Sequence, residues 1–255
     1  MDSIFFKMIS SGSRGNCTLV WDSSDLLIID FGISVKRYLN ATSSMNFPSG
    51  SASLFISHEH SDHCQGTRSL MKRMPVDIYS RKGTISAMGL DGAYSIGQTA
   101  VVGNFIVRSI DVSHDASEPV GYVIQNGERK ISVVSDLGKV TGGLVEATRD
   151  SDILAFEANH DTELLKSGSY PYYLKRRIMG DSGHLSNEQS AEAISMIAAP
   201  ETQIFLTHLS QENNRPETAL HTVKSFLDNR GIGYASIQCS YQDTGTPLIA
   251  LRRGK

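Results

Sequence analysis

The sequence predicts a mixed α/β fold in which two sheets are covered by helices. Three observations carry that reading. Short apolar, β-rich runs recur from one end of the chain to the other, amphipathic helices are clear only late, and no repeat, low-complexity tract or linker divides the 255 residues. At this length, with 40% hydrophobic residues, the chain can build one large core or two modest ones, and residues 1–255 are read as a single domain.

Strand-like runs come first: 17–21, 26–29, 54–56, 76–79, 105–110, 121–124 and 131–134, followed by 153–156, 204–206 and 247–251. The stretch NATSSMNFPSGSAS (40–53) reads as a surface loop. A capping box, Ser186-Asn187-Glu188-Gln189, opens a helix expected to reach about residue 199, with Ile194, Ile197 and Ala198 on one face. A second helix starts near Pro216, turns Leu220, Val223, Phe226 and Leu227 inward, and stops before Gly231. No stretch approaches the roughly 20 apolar residues of a membrane span. The opening MDSIFFKMISSG lacks the basic and apolar regions of a signal peptide. Cys17, Cys64 and Cys239 are odd in number and widely spaced, which fits a reducing compartment, so a cytoplasmic location with no membrane partner is expected. The net charge of −3 leaves the partner open, but Lys36-Arg37, Lys72-Arg73, Arg81-Lys82 and Lys175-Arg176-Arg177 are local basic clusters.

The chemistry is concentrated in SHEHSDHC (57–64), which holds three of the eight histidines and two carboxylates. So many imidazoles and carboxylates in one turn cost desolvation and mutual repulsion unless cations hold them. The same device recurs along the chain, because an apolar run ends and a metal-capable residue follows at Asp30, His58, His114, Asp136, Glu157–Asp161 and His208. Strand ends are where loops converge on one pocket. His58 and His60, two apart on an extended segment, point the same way and can share one ion, while Asp62 and His63, beyond the bend, can serve a second. Imidazole and carboxylate donors suit zinc, manganese or iron rather than calcium.

With Asp30, His114, Asp136 and His208 in order around HEHSDH, the chain resembles the metallo-β-lactamase fold hydrolases over nearly its whole length. The resemblance implies a four-layer αββα sandwich of two mixed sheets with two divalent ions (Zn2+ or Mn2+, with Fe as another candidate) at one edge. It implies that His58, His60 and His114 hold one ion, Asp62, His63 and His208 the other, that Asp136 bridges them, and that Asp30 orients a ligand. SSGSRGN, SHEHSDHCQG, EANHD, YPYYLKRRI, GHLSNEQ and LTHLSQENN are further similar to the YycJ/WalJ-type nucleases. That family implies a 5′-to-3′ exonuclease on DNA that uses a metal-bridging hydroxide. Gly121-Tyr122 after His114, and GHLS before a capped helix, also resemble the tRNA 3′-processing endonucleases, in which the matching histidine donates a proton. His184 inherits that role, and His184 and Asp62 are the expected catalytic residues.

Arg14, in the polar glycine loop 11–16, is a candidate phosphate contact, with a plain hairpin turn equally open at that position. Asn159 is expected at phosphate, and His160 is expected to pin its loop by its side chain. Lys175 and Arg176, beside YPYY, suit backbone grip and base stacking on a single strand. Cys64 is expected to be a packed thiol and His221 a surface residue. Two other readings stay open: a ribonuclease or a hydrolase of a small thioester, lactone or cyclic phosphodiester, and a non-catalytic metal-stabilised scaffold.

Overall fold

The computed structural model describes residues 3–50 and 52–252. The first half carries β1 (Ser3–Ser10), β2 (Cys17–Trp21), β3 (Leu26–Ile29), α1 (Val35–Thr42), β4 (Ala52–Phe55), α2 (Ser61–Cys64), α3 (Thr67–Met71), β5 (Val76–Ser80), α4 (Lys82–Met88) and β6 (Tyr94–Ser95). The second carries β7 (Thr99–Val102), β8 (Phe105–Asp111), β9 (Val120–Asn126), β10 (Arg129–Val134), α5 (Gly142–Thr148), β11 (Ile153–Glu157), α6 (Thr162–Ser167) and α7 (Tyr172–Ile178). It continues through α8 (Asn187–Ile197), β12 (Gln203–Thr207), α9 (Pro216–Asn229), β13 (Ser236–Cys239) and β14 (Ile249–Arg252).

The strands form two sheets, ordered β14-β1-β2-β3-β4-β5-β6 and β13-β12-β11-β10-β9-β8-β7. In each, an antiparallel stretch passes into a parallel one, with the change at β3/β4 in the first sheet and β10/β11 in the second. Alternation along each strand sends side chains to opposite faces. Leu27 and Ile29 of β3 enter the core between the sheets with Phe6, Phe55, Phe105, Tyr122 and Phe205. Leu26 and Ile28 face α1, α3 and α4 on the outside. On the second sheet, Leu154, Phe156, Ile204 and Leu206 face α5, α8 and α9. This is the four-layer αββα sandwich the sequence led us to expect.

Several boundaries differ from expectation. Residues 40–42 belong to α1 and residues 52–53 to β4, so the stretch 40–53 is not loop throughout. Helix α8 ends at Ile197, because Pro200 disfavours helical backbone at the residue before it. Strand β14 starts at Ile249, two residues after Pro247, which has no N–H to give a ladder. Strands β1, β7 and β13 and the short helices of the first half carry weak local signals and are held by pairing and packing. The capping box at Ser186/Gln189 and Pro216 at the start of α9 are as read from the sequence.

Candidate metal centre

The parallel strands of both sheets end at one edge of the sandwich. Asp30 follows β3, Asp136 follows β10 and His208 follows β12, each with left-handed backbone at φ 58, 58 and 53°. Such backbone is uncommon away from glycine, and Asp tolerates it better than most residues. It turns the chain sharply out of the strand at the residue that faces the pocket, and strain of this kind gathers at functional sites.

The turn 57–64 is held from several sides. Two hydroxyls, Tyr122 Oη at 2.7 Å and Ser80 Oγ at 2.6 Å, donate to the Ile56 carbonyl just before it. Gly32 packs so closely that a Cβ there would lie 1.6 Å from the Asp62 carbonyl oxygen, so only glycine fits. Asp30 accepts from Ser57 N–H at 2.7 Å, from Ser57 Oγ at 2.9 Å and from His63 Nδ1 at 2.7 Å. His63 is thereby fixed with Nε2 facing the pocket.

Six histidines form a ring around the opening. Centroids lie 4.7 Å apart for His58–His60, 5.0 Å for His60–His114, 5.3 Å for His114–His184 and for His184–His208, 5.9 Å for His208–His63, and 4.1 Å for His63–His58. His58, His63, Asp136, Glu157 and His208 are buried at its base, while His60, Asp62, His114 and His184 are half-buried at its mouth. Within the ring, one donor atom each from His58, His60 and His114 lies within 4.8 Å of the others, and so do donors from Asp62, His63 and His208. Asp136 sits between the two groups, 3.0 Å from His63 Nε2 by one oxygen and 3.8 Å from His114 Nε2 by the other.

These residues fit divalent cations, on two observations. Asp136 Oδ2 is buried with no hydrogen-bond donor, although His63 Nε2 lies beside it. In the other group, Nδ1 of His60 faces His58 Nε2 at 3.1 Å and His114 Nε2 at 3.3 Å. Three ring nitrogens converging this closely can share at most a proton or a cation, and a divalent ion would satisfy all three at once. The electrostatics of the pocket agree. Burial draws the His58 imidazole well below its usual value, with the neighbouring His63 adding to it. Burial would lower His63 too, but Asp30, Asp136 and Asp62 outweigh it and raise that imidazole well above its usual value.

Glu157, which sequence reasoning left without a role, is the hub of the second half of the ring. It is fully buried and accepts from the N–H groups of Asp136 at 2.5 Å and Leu185 at 2.8 Å. His184 Nδ1 lies 3.3 Å and His208 Nδ1 3.5 Å from its oxygens. Burial would raise its pKa, but His184 and His208 together outweigh burial and hold it at about 2. Burial lowers His184 in turn, and Glu157 more than reverses that, so its pKa is raised. Donors from Asp136, Glu157, His184 and His208 also lie close enough to form a group. Backbone N–H groups already occupy both Glu157 oxygens, so within this quartet Glu157 reads as hydrogen-bonded support for His184 and His208. The signal for Glu157 was its place at a strand end, the rule that found Asp136. Asn16 was also missed: its side-chain nitrogen lies 2.9 Å from His63 Nε2 and 3.3 Å from Asp62 Oδ2.

The residues expected at substrate fall into two sets. Arg14 is exposed in the glycine loop, paired with Asp243 at 3.2 Å. Arg176 is exposed, 5.9 Å above the Tyr172 ring, and Tyr172 and Tyr173 are about three-quarters exposed. Asn159 differs from expectation: it is buried, and its amide donates to the His208 carbonyl at 2.8 Å, fastening that histidine instead of facing phosphate. Lys175 also differs, because its ammonium donates to the Lys166 and Gly168 carbonyls at 2.7 and 2.6 Å and closes the end of α6. His160 pins its loop through main chain, its N–H donating to Leu185 and its carbonyl accepting from Asn187, while its Nδ1 has no partner. Cys64 is packed, its thiol pushed up to about 11 by burial, and His221 is exposed.

A fold of two sheets bearing this motif defines the metallo-β-lactamase class, and the signature of the β-lactamase superfamily domain matches residues 28–209. The chain belongs to that superfamily, within the YycJ/WalJ family. It is 35% identical over 244 residues to the exodeoxyribonuclease YycJ of Bacillus anthracis, covering 90% of this chain and 91% of that one. It is 34% identical over 269 residues to the exodeoxyribonuclease WalJ of Streptococcus pneumoniae, covering 98% and 100%. The metallo-β-lactamase fold protein YhfI of Bacillus subtilis superposes with a TM-score of 0.72 at 13% identity, over 98% of this chain and all of that one. Among the described residues, no helix is long and apolar enough to cross a membrane.

Proposed function

We propose that this protein is a two-metal phosphodiesterase that removes nucleotides from the 5′ end of DNA in the cytoplasm. The observation that carries the reading is the histidine ring, with two three-donor groups that share Asp136 and leave His184 over. His58, His60 and His114 would hold one ion, Asp62, His63 and His208 the other, with Asp136 between them. Nitrogen and oxygen donors favour Mn2+ or Zn2+. When bound, such ions supply an activated water near neutral pH and offset charge gathering on phosphorus.

The remaining work falls to side chains. His184 turns Nδ1 to Glu157, which leaves Nε2 for substrate, and the carboxylate raises its pKa, favouring the protonated imidazole. In hydrolysis, water adds its oxygen to phosphorus and the P–O3′ bond breaks. The proton of His184 goes to the departing 3′ oxygen, leaving a 5′-phosphate on the other product. Asn159 and Ser11 steady His208, the first at its carbonyl and the second at its N–H. Tyr172, Tyr173 and Arg176 offer stacking faces and a cation beside the ring. The names of the curated relatives support the DNA substrate.

End-labelled DNA and RNA strands incubated with Mn2+ or Zn2+ test this. Mononucleotides released stepwise from the 5′ end of DNA are expected, with no hydrolysis of β-lactams. Internal cuts in RNA alone, or turnover of a thioester or lactone without any of nucleic acid, would remove the reading.

A further inference from the structure

A basic cleft adjoins the glycine loop 11–16. The cleft between α1, the second half of β1 and the loop 241–245 has a volume of about 620 Å³, in the range of ligand sites. Lys7, Lys36 and Arg37 line it, together with Ser34 and Asn40. Asp243, the acidic residue of its lining, is paired with Arg14. Lys7 donates to the Thr246 carbonyl at 2.8 Å and Arg37 to the Gln242 carbonyl, so both lend the cleft their charge, and Lys36 is the cation set to meet an incoming phosphate beside the paired Asp243.

The cleft is tied to the ring by a series of hydrogen bonds. The Arg37 guanidinium donates to the Gln242 carbonyl. The Gln242 side chain accepts from Arg14 N–H at 2.9 Å and donates to the Gly15 carbonyl at 3.0 Å, so it carries the glycine loop. That loop reaches the ring through Asn16 at His63 and Ser11 Oγ at His208 N–H. The α7 side enters at the opposite arc, where Gly183 O lies 3.2 Å from His114 Nδ1 and Arg177 pairs with Asp115 at 2.7 Å. Burial also draws the Lys7 ammonium below the ordinary lysine value, a cost that an incoming anion would offset.

We infer that this cleft grips the phosphodiester backbone of the part of the strand lying 3′ of the scissile bond. The inference rests on the reading of His184 as the proton donor. The 3′ oxygen departs toward His184, so the nucleotide that carries it leaves along the α7 side. The piece that keeps the 5′-phosphate must run out the other way, over the glycine loop and into the basic cleft. The 5′ terminal nucleotide and the body of the strand would then have separate seats, the first with exposed tyrosines and the second with clustered cations.

Oligodeoxynucleotides bearing one uncharged methylphosphonate linkage, moved stepwise across the cut, test this with Lys36→Glu. In the wild type, a neutral linkage at the seat 3′ of the cut should raise KM, and in Lys36→Glu that added penalty should vanish. The variant should raise KM for a long strand on the order of tenfold more than for bis(nitrophenyl) phosphate. It should also flatten the salt dependence of binding by about 0.7 for each phosphate that the protein no longer neutralises. Lys224→Glu, the same charge change at an exposed position of α9, is the control and should leave both substrates alone. Coupling of Lys36 only to linkages 5′ of the cut, or equal weakening by Lys224→Glu, would overturn the assignment while DNA cleavage itself stands. Absence of any nucleic-acid cleavage would take the proposed function down with it.

Discussion

Asp30 and Asp136 occupy matching places in the two sheets. Each follows the last antiparallel strand, β3 in one sheet and β10 in the other, just before the parallel pairing begins, and each has φ 58°. Their side chains do different things. Asp30 turns back and spends its oxygens on Ser57 and His63. Asp136 turns into the pocket, one oxygen lying without a donor between the two groups of histidines. The next parallel strands differ as well. Strand β4 runs into one dense segment with His58, His60, Asp62 and His63, whereas β11 and β12 each deliver one residue, Glu157 and His208. A repeated backbone device therefore holds a fully hydrogen-bonded carboxylate in one half and, in the other, a carboxylate with an oxygen left open to a cation. What separates the two uses is the neighbour each carboxylate meets.

The strongest test sets those two aspartates against each other. Asp136→Ala should lose both ions and all turnover, since the residue lies between the two sites. Asp30→Ala should keep both sites but weaken metal affinity about 10–100-fold, as expected when the partner of a ligand is removed. Elemental analysis of the two purified variants, with DNA turnover, decides it. Equal metal loss in both would erase the distinction between support and ligation.

Next in size is His184. His184→Ala should keep its metal content and lose about 10²–10⁴ in rate on DNA, the range of a general acid. It should lose little on a nitrophenyl phosphodiester, whose leaving group departs without a proton. If both substrates slow alike with ions still bound, His184 grips phosphate and donates no proton.

Glu157→Gln sharpens the comparison within the second half, because N–H groups take both Glu157 oxygens whereas one Asp136 oxygen has no donor. A loss of about 10–100-fold is expected, together with a displaced pH profile. The carboxylate raises the pKa of His184, and a proton-donating role would need its protonated form. Removing that charge lowers the pKa, so the alkaline limb of kcat should move to lower pH. An unmoved limb would show that another group sets it.

The smallest effect concerns His160, whose pKa is lowered to about 4 mainly by burial. Below pH 6.5 the unfolded chain takes up a proton that the folded chain refuses until about pH 4. Stability should therefore fall with pH across that window, by up to about 3 kcal/mol for this group, and be unaffected by it above pH 7. Denaturant titrations of wild type and His160→Gln at each pH should show a shallower loss in the variant. Parallel curves would mean that His160 is protonated in the fold after all.

Much of this architecture was legible in the linear chain. The strands that build the inter-sheet core show as apolar runs because burial on both faces needs them. The segment 57–64 announced metal chemistry by density alone, since no folding need crowds three imidazoles and two carboxylates into one turn. Ser186 and Pro216 marked helix starts because capping is a local hydrogen-bond requirement. All of these depend on residues within a few positions of one another. The tertiary structure decided the rest. Strand β7, exposed on one face, and β1, interrupted by Lys7, are strands only because a neighbour pairs with them. Asn159 and Lys175 looked ready for phosphate, yet the nearest acceptors in space, the His208, Lys166 and Gly168 carbonyls, took their donors. Glu157 became the hub only when packing of the second sheet against α8 brought Leu185 and His184 to its oxygens. A sequence states which groups can donate, accept or ligate. Which partner each one meets is settled by distances between segments far apart in the chain, and those exist only after the two sheets have closed on each other.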